Sequence, residues 1–400
     1  MKATKPVSFE DTSVAFSSKS NYRLFKMYLL FGGMHFNKLV KIANNLISFF
    51  FKINFPVKPL IKYTVFEHFC GGETILESEK TIRELAKFNI GAILDYSVEG
   101  EKTEQGFDKT AEEIIRTINK SRDSDDIPFC VFKPTGVAPA DLLTKIQSGA
   151  KLTEQECQSF QMVKTRVENI CHEAHRCNTR ILIDGEESWM QDTIDELAYE
   201  MMVKFNREKV VVYNTFQMYR TDMLDNLKSA FSMVIDRGSL LGAKLVRGAY
   251  MEKERDRAAE MGYVSPIQPD KASSDRDFNL ALKFCVDNYD AIGLCSGTHN
   301  EYSNLYLTQL MEEKKIDPAD PIIFFAQLYG MSDNISFNLS KSGYNVVKYV
   351  PYGPVQAVLP YLFRRSQENS SVAGQSSREF AYIKREIKRR LGMSRSTQPG

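Results

Sequence analysis

The run RILIDGEE, Arg180 to Glu187, decides how this chain is read. Ile181, Leu182 and Ile183 form a short apolar stretch, and the chain then turns polar at Asp184, Gly185, Glu186 and Glu187. A near-continuous apolar run without alternation is the mark of a parallel strand covered on both faces. The same kind of run recurs along the chain at Ala92–Tyr96, Phe129–Phe132, Arg180–Ile183, Val210–Tyr213, Ala243–Val246, Ile292–Cys295, Ile322–Phe325 and Asn345–Tyr349. The intervals, mostly about 24–50 residues, hold one or two helices each. Eight β-then-α units in order predict a (β/α)8 barrel. A doubly wound open sheet stays as the alternative, because periodicity does not show closure.

In a barrel the chemistry gathers at the C-terminal ends of the strands. Those ends lead in turn to Asp95 and Glu99, Lys133, Asp184, Gln217, Lys244 with Arg247 and Tyr250, Thr298 with His299, Gln327, and Tyr352. A bland surface accounts for one or two polar strand ends, but not for eight in succession. Beyond the last strand, YLFRRSQEN (Tyr361–Asn369) puts Tyr361, Arg364, Arg365 and Glu368 on one helix face. Paired guanidiniums on one face make a fork suited to a carboxylate, which a neighbouring carboxylate can hold in place.

Composition sets outer bounds. Four hundred residues can bury a large core, and a net charge of +1 gives no argument for nucleic acid. Seven cysteines without framework spacing suggest free thiols in a reducing compartment. Residues 1–85 read as helical, 86–370 as the barrel, and 371–400 as a basic helix and tail. The N-terminal MKATKPVSFEDTSVAF has neither a signal-peptide core nor a transit-peptide composition. That favours a bacterial cytoplasmic enzyme over one of the mitochondrial matrix or inner membrane. The apolar runs Met27–Phe36 and Ile42–Phe51 are too short to span a bilayer.

No GxGxxG, Walker loop or GxSxG is present, so Rossmann, P-loop and serine-hydrolase chemistry lack support. CHEAHRC (Cys171–Cys177) resembles metal-ligand material. It falls at a helix end on the barrel's N-terminal side, so no metal is expected. The tail segment REFAYIKREIKRR carries an apolar set at Phe380, Ile383 and Ile387, continued by Leu391. It reads either as a helix lying on an anionic membrane or as a terminal helix docked on the protein.

The segments VFKPTG, LIDGEE, TFQMY, KLVRGAY, GTHN, YVPYGPV and YLFRRSQEN, in this order, resemble the signature segments of the proline dehydrogenases. The similarity covers roughly residues 65–391. The resemblance is to the monofunctional form and implies a distorted (β/α)8 barrel with extra N-terminal helices and non-covalent FAD. It also implies oxidation of L-proline to Δ1-pyrroline-5-carboxylate, by hydride transfer to flavin N5. Electrons would pass to a membrane quinone, ubiquinone or menaquinone, which suggests peripheral attachment to the inner face of the cytoplasmic membrane. A pyrroline-5-carboxylate dehydrogenase would take the product.

Carried over by motif, Arg364, Arg365 and Lys133 would hold the proline carboxylate, and Glu99 would pair with Arg364 as a gate. Tyr250, Leu328 and Tyr352 would pack on the ring, with Tyr352 favouring proline over hydroxyproline. Asp184 would act near the flavin and Lys244 would reach N5, where many relatives have arginine. Gln217, Arg247, Gly248, Ala249, Lys271, Thr298, His299 and Glu368 would bind the cofactor. Competing expectations are a hydroxyproline dehydrogenase, a Schiff-base barrel lyase or aldolase using Lys133 or Lys244, and a non-catalytic imino-acid-binding protein.

Overall fold

The computed structural model describes residues 7–34, 37–53, 55–98, 101–371 and 375–392. Eight parallel strands close in sequence order into one barrel. They are β1 (Ile90–Tyr96), β2 (Phe129–Phe132), β3 (Arg180–Ile183), β4 (Val212–Gln217), β5 (Leu241–Val246), β6 (Ile292–Gly297), β7 (Ile323–Leu328) and β8 (Val346–Tyr352). The closing seam is the longest register, from Ile90 opposite Val346 to Tyr96 opposite Tyr352. Closure removes the doubly wound alternative.

Strand alternation sorts side chains into two sets. Ile93, Val131, Leu182, Tyr213, Val347 and Tyr349 fill the barrel interior. Leu94, Cys130, Ile183, Phe216, Leu294 and Val350 point outward into the helical layer. The floor is plugged. Gly293 lies so close to Tyr213 that a Cβ there would sit 2.6 Å from the phenol oxygen. Arg180 sits 5.4 and 5.0 Å from the ring centres of Phe129 and Phe324, a cation–π sandwich below the core. The polar strand ends lie at the opposite, C-terminal mouth.

The fourth strand starts two residues later than its apolar run suggests. The Asn206 side-chain oxygen accepts from the amides of Val211 and Val212, so this entry is held by a side chain as well as by the ladder. The strand then continues to Gln217. In CHEAHRC, Cys171 and Cys177 are buried, and His172 and His175 pack against Phe205. The helix that holds these histidines, Glu154–Arg176, ends before β3, on the floor side.

The terminal helices are part of the same body. Helix Asn37–Lys52 packs on helix Leu359–Ser371, and the Asn44 amide donates to Ser366 at 3.3 Å. Helix Gln375–Arg390 packs on helix Asn21–Met34. Its Ile383, with Phe380 and Ile387 beside it, packs into a cluster with Phe16, Leu24 and Met27. Phe380, Ile383 and Ile387 of the apolar stripe are thus covered by protein, as the docked reading expects, while Leu391 at its end is 63% exposed.

Candidate active site at the barrel mouth

Asp184 follows β3, and its amide donates to the Phe132 carbonyl, which extends the β2–β3 ladder by one residue. The carboxylate therefore projects inward, and the residue is 8% exposed. Lys244, inward on β5, donates to its Oδ1 at 2.5 Å, and the Tyr349 hydroxyl donates to the same oxygen at 3.1 Å. Lys133 lies 3.7 Å from Oδ2. The Lys244 ammonium is also 4.7 Å from the Tyr349 ring centre.

Burial alone would raise the Asp184 pKa, but Lys244, Lys133 and the Tyr349 hydroxyl hold it below the ordinary carboxylate range. Burial raises that of Tyr349, which stays a neutral donor. Desolvation works against the Lys133 ammonium, yet Tyr250, Asp184 and Glu186 outweigh it, and its pKa rises. The cup thus holds an ionised carboxylate between a protonated lysine, a second lysine and a phenol.

A polar layer surrounds this cluster. Glu186, whose pKa burial raises, accepts from Thr135 Oγ1 at 2.7 Å and from the Tyr250 hydroxyl at 3.1 Å. Gln217 donates to the Glu186 carbonyl at 2.6 Å and so pins the loop after β3. Lys348 points outward from β8, is fully buried, and donates to Asp333 at 2.9 Å and to the Met331 carbonyl at 2.5 Å. It also reaches the Leu328 carbonyl at 3.3 Å, which fixes the strand end that carries Leu328 into the mouth.

Along β5 and β6 the groups change character. Arg247 pairs with Asp275 at 2.6 Å, donates to Thr298 at 2.6 Å and to Ser303 at 2.9 Å, and stacks 4.4 Å from the Phe278 ring centre. Lys271 reaches the other oxygen of Asp275 at 2.5 Å. Gly248, between Arg247 and Ala249, has φ +127°, and a Cβ there would lie 2.5 Å from the Tyr219 ring. Only glycine suits this close approach. His299 bonds the Ser332 hydroxyl at 2.9 Å; burial, then the charges of Lys348, Arg365 and Arg247, push its pKa down to about 3. It is a neutral imidazole at physiological pH.

The arginine fork lies on helix Leu359–Ser371, which follows β8. The Arg365 guanidinium lies 5.3 Å from the Tyr361 ring centre, one helical turn away, and its charge reaches His299. The charge of Arg364 reaches Tyr250.

Most expected residues come together, with one correction. Tyr352 does not enter the cup. Its ring sits in the outer core, and its hydroxyl bonds Thr117 at 2.7 Å and Glu113 at 3.1 Å, on the helix after β1. The residue facing inward is Tyr349, three positions earlier, and period-two alternation along VVKYVPY separates the two. Glu99 lies outside the described residues. Glu368 belongs to helix Leu359–Ser371, but its side chain is outside them too. Lys348, unannounced by any motif, had one signal: a lysine inside an apolar strand.

A parallel barrel with a cationic cup around one buried carboxylate defines the class of site, and the comparisons give the family. A profile described as proline dehydrogenase matches residues 78–378. "Proline dehydrogenase 1, mitochondrial" of Dictyostelium discoideum is 34% identical over 427 residues, covering 95% of this chain and 75% of the relative. The human protein of the same name is 38% identical over 245 residues, 60% of this chain and 41% of the relative. The "carbapenem antibiotics biosynthesis protein CarD" of Pectobacterium carotovorum is 32% identical over 321 residues, 80% of this chain and 83% of the relative. Proline utilization A (PutA) from Bdellovibrio bacteriovorus, inactivated by N-propargylglycine, superposes with a TM-score of 0.73 at 19% identity. The match covers all of this chain and 43% of that one, so the chain spans less than half of that structure's length. The chain belongs to the proline dehydrogenase family.

Proposed function

We propose that the protein oxidises L-proline to Δ1-pyrroline-5-carboxylate with FAD, and that the electrons leave to a membrane quinone, ubiquinone or menaquinone. The observation that carries this is the cup itself: Asp184, Lys244, Lys133 and Tyr349 joined at the strand ends, with Arg364 and Arg365 on the helix that follows β8. The donor set fits a flavin dinucleotide. Arg247 and Lys271 share one carboxylate, Asp275, beside a glycine that allows close backbone approach. That arrangement suits a diphosphate, with Ala249, Thr298, His299 and Gln217 along the remaining length. FAD, when bound, supplies the hydride acceptor.

The protein's share is binding, orientation and charge. Arg364, Arg365 and Lys133 grip the proline carboxylate, each charge-assisted bond contributing roughly 1.5–3 kcal/mol. Tyr349, Tyr250 and Leu328 pack on the ring. A bulky Tyr349 ring packed against the far carbon of the substrate ring is what would favour proline over hydroxyproline. Proline's amine is mostly protonated in neutral water. Hydride loss needs the neutral amine, and the surrounding cations favour that form. Asp184 holds Lys244 at the position expected to face flavin N5.

The Schiff-base reading loses support. Both candidate lysines are committed to Asp184, and a protonated Lys133 is a poor nucleophile. Product passes to a pyrroline-5-carboxylate dehydrogenase. The mitochondrial names of several relatives favour that organelle over the bacterial cytoplasm suggested by the N-terminal sequence.

The test is an anaerobic absorbance spectrum before and after L-proline. Flavin bands that bleach establish cofactor and substrate together. Bands that bleach only with hydroxyproline overturn the substrate, and absence of flavin after reconstitution with FAD overturns the reading.

A further inference from the structure

We infer that the outer face of helix Asn37–Lys52 is a docking surface for an anionic lipid bilayer. This deepens the membrane-quinone part of the proposed function and rests on it for its purpose, though not for its observations. Ile42, Leu46, Phe49 and Ile53 are 56, 48, 54 and 52% exposed. Ile42, Leu46 and Phe49 lie on one stripe of that helix, and Ile53, one residue past its end, continues the spacing of four, three and four. The preceding helix Asn21–Met34 adds Phe25 and Leu29, 55 and 57% exposed and four residues apart. Scattered exposed apolar residues need no explanation, but a continuous helical stripe does.

The occupant follows from charge. From Thr12 to Phe66 the chain has no aspartate or glutamate, and eight lysines and arginines. Over the whole chain basic and acidic residues number 52 and 51, so the remainder is net acidic. Five of the eight, Lys19, Arg23, Lys26, Lys58 and Lys62, form ion pairs with carboxylates of neighbouring elements. The helix with the stripe adds Lys38, Lys41 and Lys52 and no acid. Large apolar side chains on a helix that carries only basic charge match a surface that is apolar inside and anionic outside. Among the described residues no helix is long and apolar enough to cross a membrane, so this one lies on the surface.

Position gives the surface its use. The inner face of the same helix packs on Leu359–Ser371, the helix that carries the arginine fork. A bilayer seated on the outer face lies one helix layer from that fork, beside a lipid-soluble electron acceptor.

The test is flotation of the purified holoenzyme with phosphatidylcholine vesicles, with and without 30% phosphatidylglycerol, at low and high salt. Wild type should float with the anionic vesicles and be partly released by salt. Leu46→Glu/Phe49→Glu should lower the partition coefficient at least tenfold, since each residue removes a large apolar side chain from the interface. Proline-dependent reduction of a soluble dye, read on the same samples, should stay within twofold of wild type. If the double variant fails to fold, Phe25→Glu/Leu29→Glu serves instead, with the same tenfold criterion. Wild type that stays with the pellet, or variants that float as well as wild type, overturn the inference. So does sedimentation velocity showing a dimer that the double variant abolishes, because the stripe would then belong to a second copy. Dye reduction failing in wild type while flotation succeeds counts against the proposed reaction and leaves the surface standing.

Discussion

Asp184→Asn keeps the side-chain volume and removes one charge from the centre of the cup. Lys244 loses its carboxylate partner at 2.5 Å and Lys133 loses one at 3.7 Å, while Tyr349 keeps an oxygen to donate to. The loss is therefore mainly electrostatic: ammonium groups left in a nearly dry pocket. Removing one partner of a buried pair costs about 3–5 kcal/mol, and that is the expected fall in unfolding free energy at pH 7, measured by denaturant titration followed by far-UV circular dichroism. The sign of the pH effect follows. In the variant, a stranded lysine binds its proton less tightly folded than unfolded, so stability rises with pH up to about 10.4, the free lysine value. The penalty at pH 9.5 should be smaller than at pH 7. Pairing with Lys244→Met closes a double-mutant cycle, and the coupling should be about 2 kcal/mol or more. A loss at pH 7 under about 1 kcal/mol, or no coupling, refutes the buried-pair argument.

The two tyrosines separate cleanly. Tyr349→Ser should raise the KM for proline about tenfold or more and narrow the preference over hydroxyproline, whereas Tyr352→Phe should leave steady-state constants within about twofold and lower stability by about 1 kcal/mol for its lost bonds to Thr117 and Glu113; the reverse pattern restores Tyr352 to the site. Arg365→Met should reduce kcat/KM for proline about 10²-fold or more, because a buried carboxylate loses a charged partner; unchanged kinetics remove the fork from substrate binding. Burial, then Asp333, push the Glu379 carboxyl up to about 7 from 4.5. The folded state then holds an extra proton between those values, so this group's contribution to stability falls as pH rises through that window. Glu379→Gln should remove that component from a melting-temperature profile between pH 4.5 and 7.5, and an unchanged slope counts against it.

The barrel was legible because parallel strands buried on both faces write themselves as short apolar runs, and all eight runs lie on strands or within two residues of one. The polar strand ends pointed to the mouth for the same reason. Tyr352 misled because a motif match carries residue types without saying which face of a strand they occupy. The alternation of Val347 and Tyr349 against Val346, Lys348 and Val350 held that information. The Lys348–Asp333 pair was hidden because its partners meet across a loop, and nothing in local spacing encodes that meeting. The fate of the C-terminal helix was equally hidden: its apolar stripe was visible, but what covers it, Phe16, Leu24 and Met27, lies at the other end of the chain.

The seam between β1 and β8 joins segments roughly 250 residues apart in sequence. At ribosomal rates of about 5–20 residues per second, β8 emerges on the order of 10–50 s after β1. For that interval β1 has an unpaired edge of seven residues, the kind of exposed strand that invites aggregation and chaperone capture. Tyr349 rides on the late strand. The cup receives its last wall in the same step that closes the cylinder.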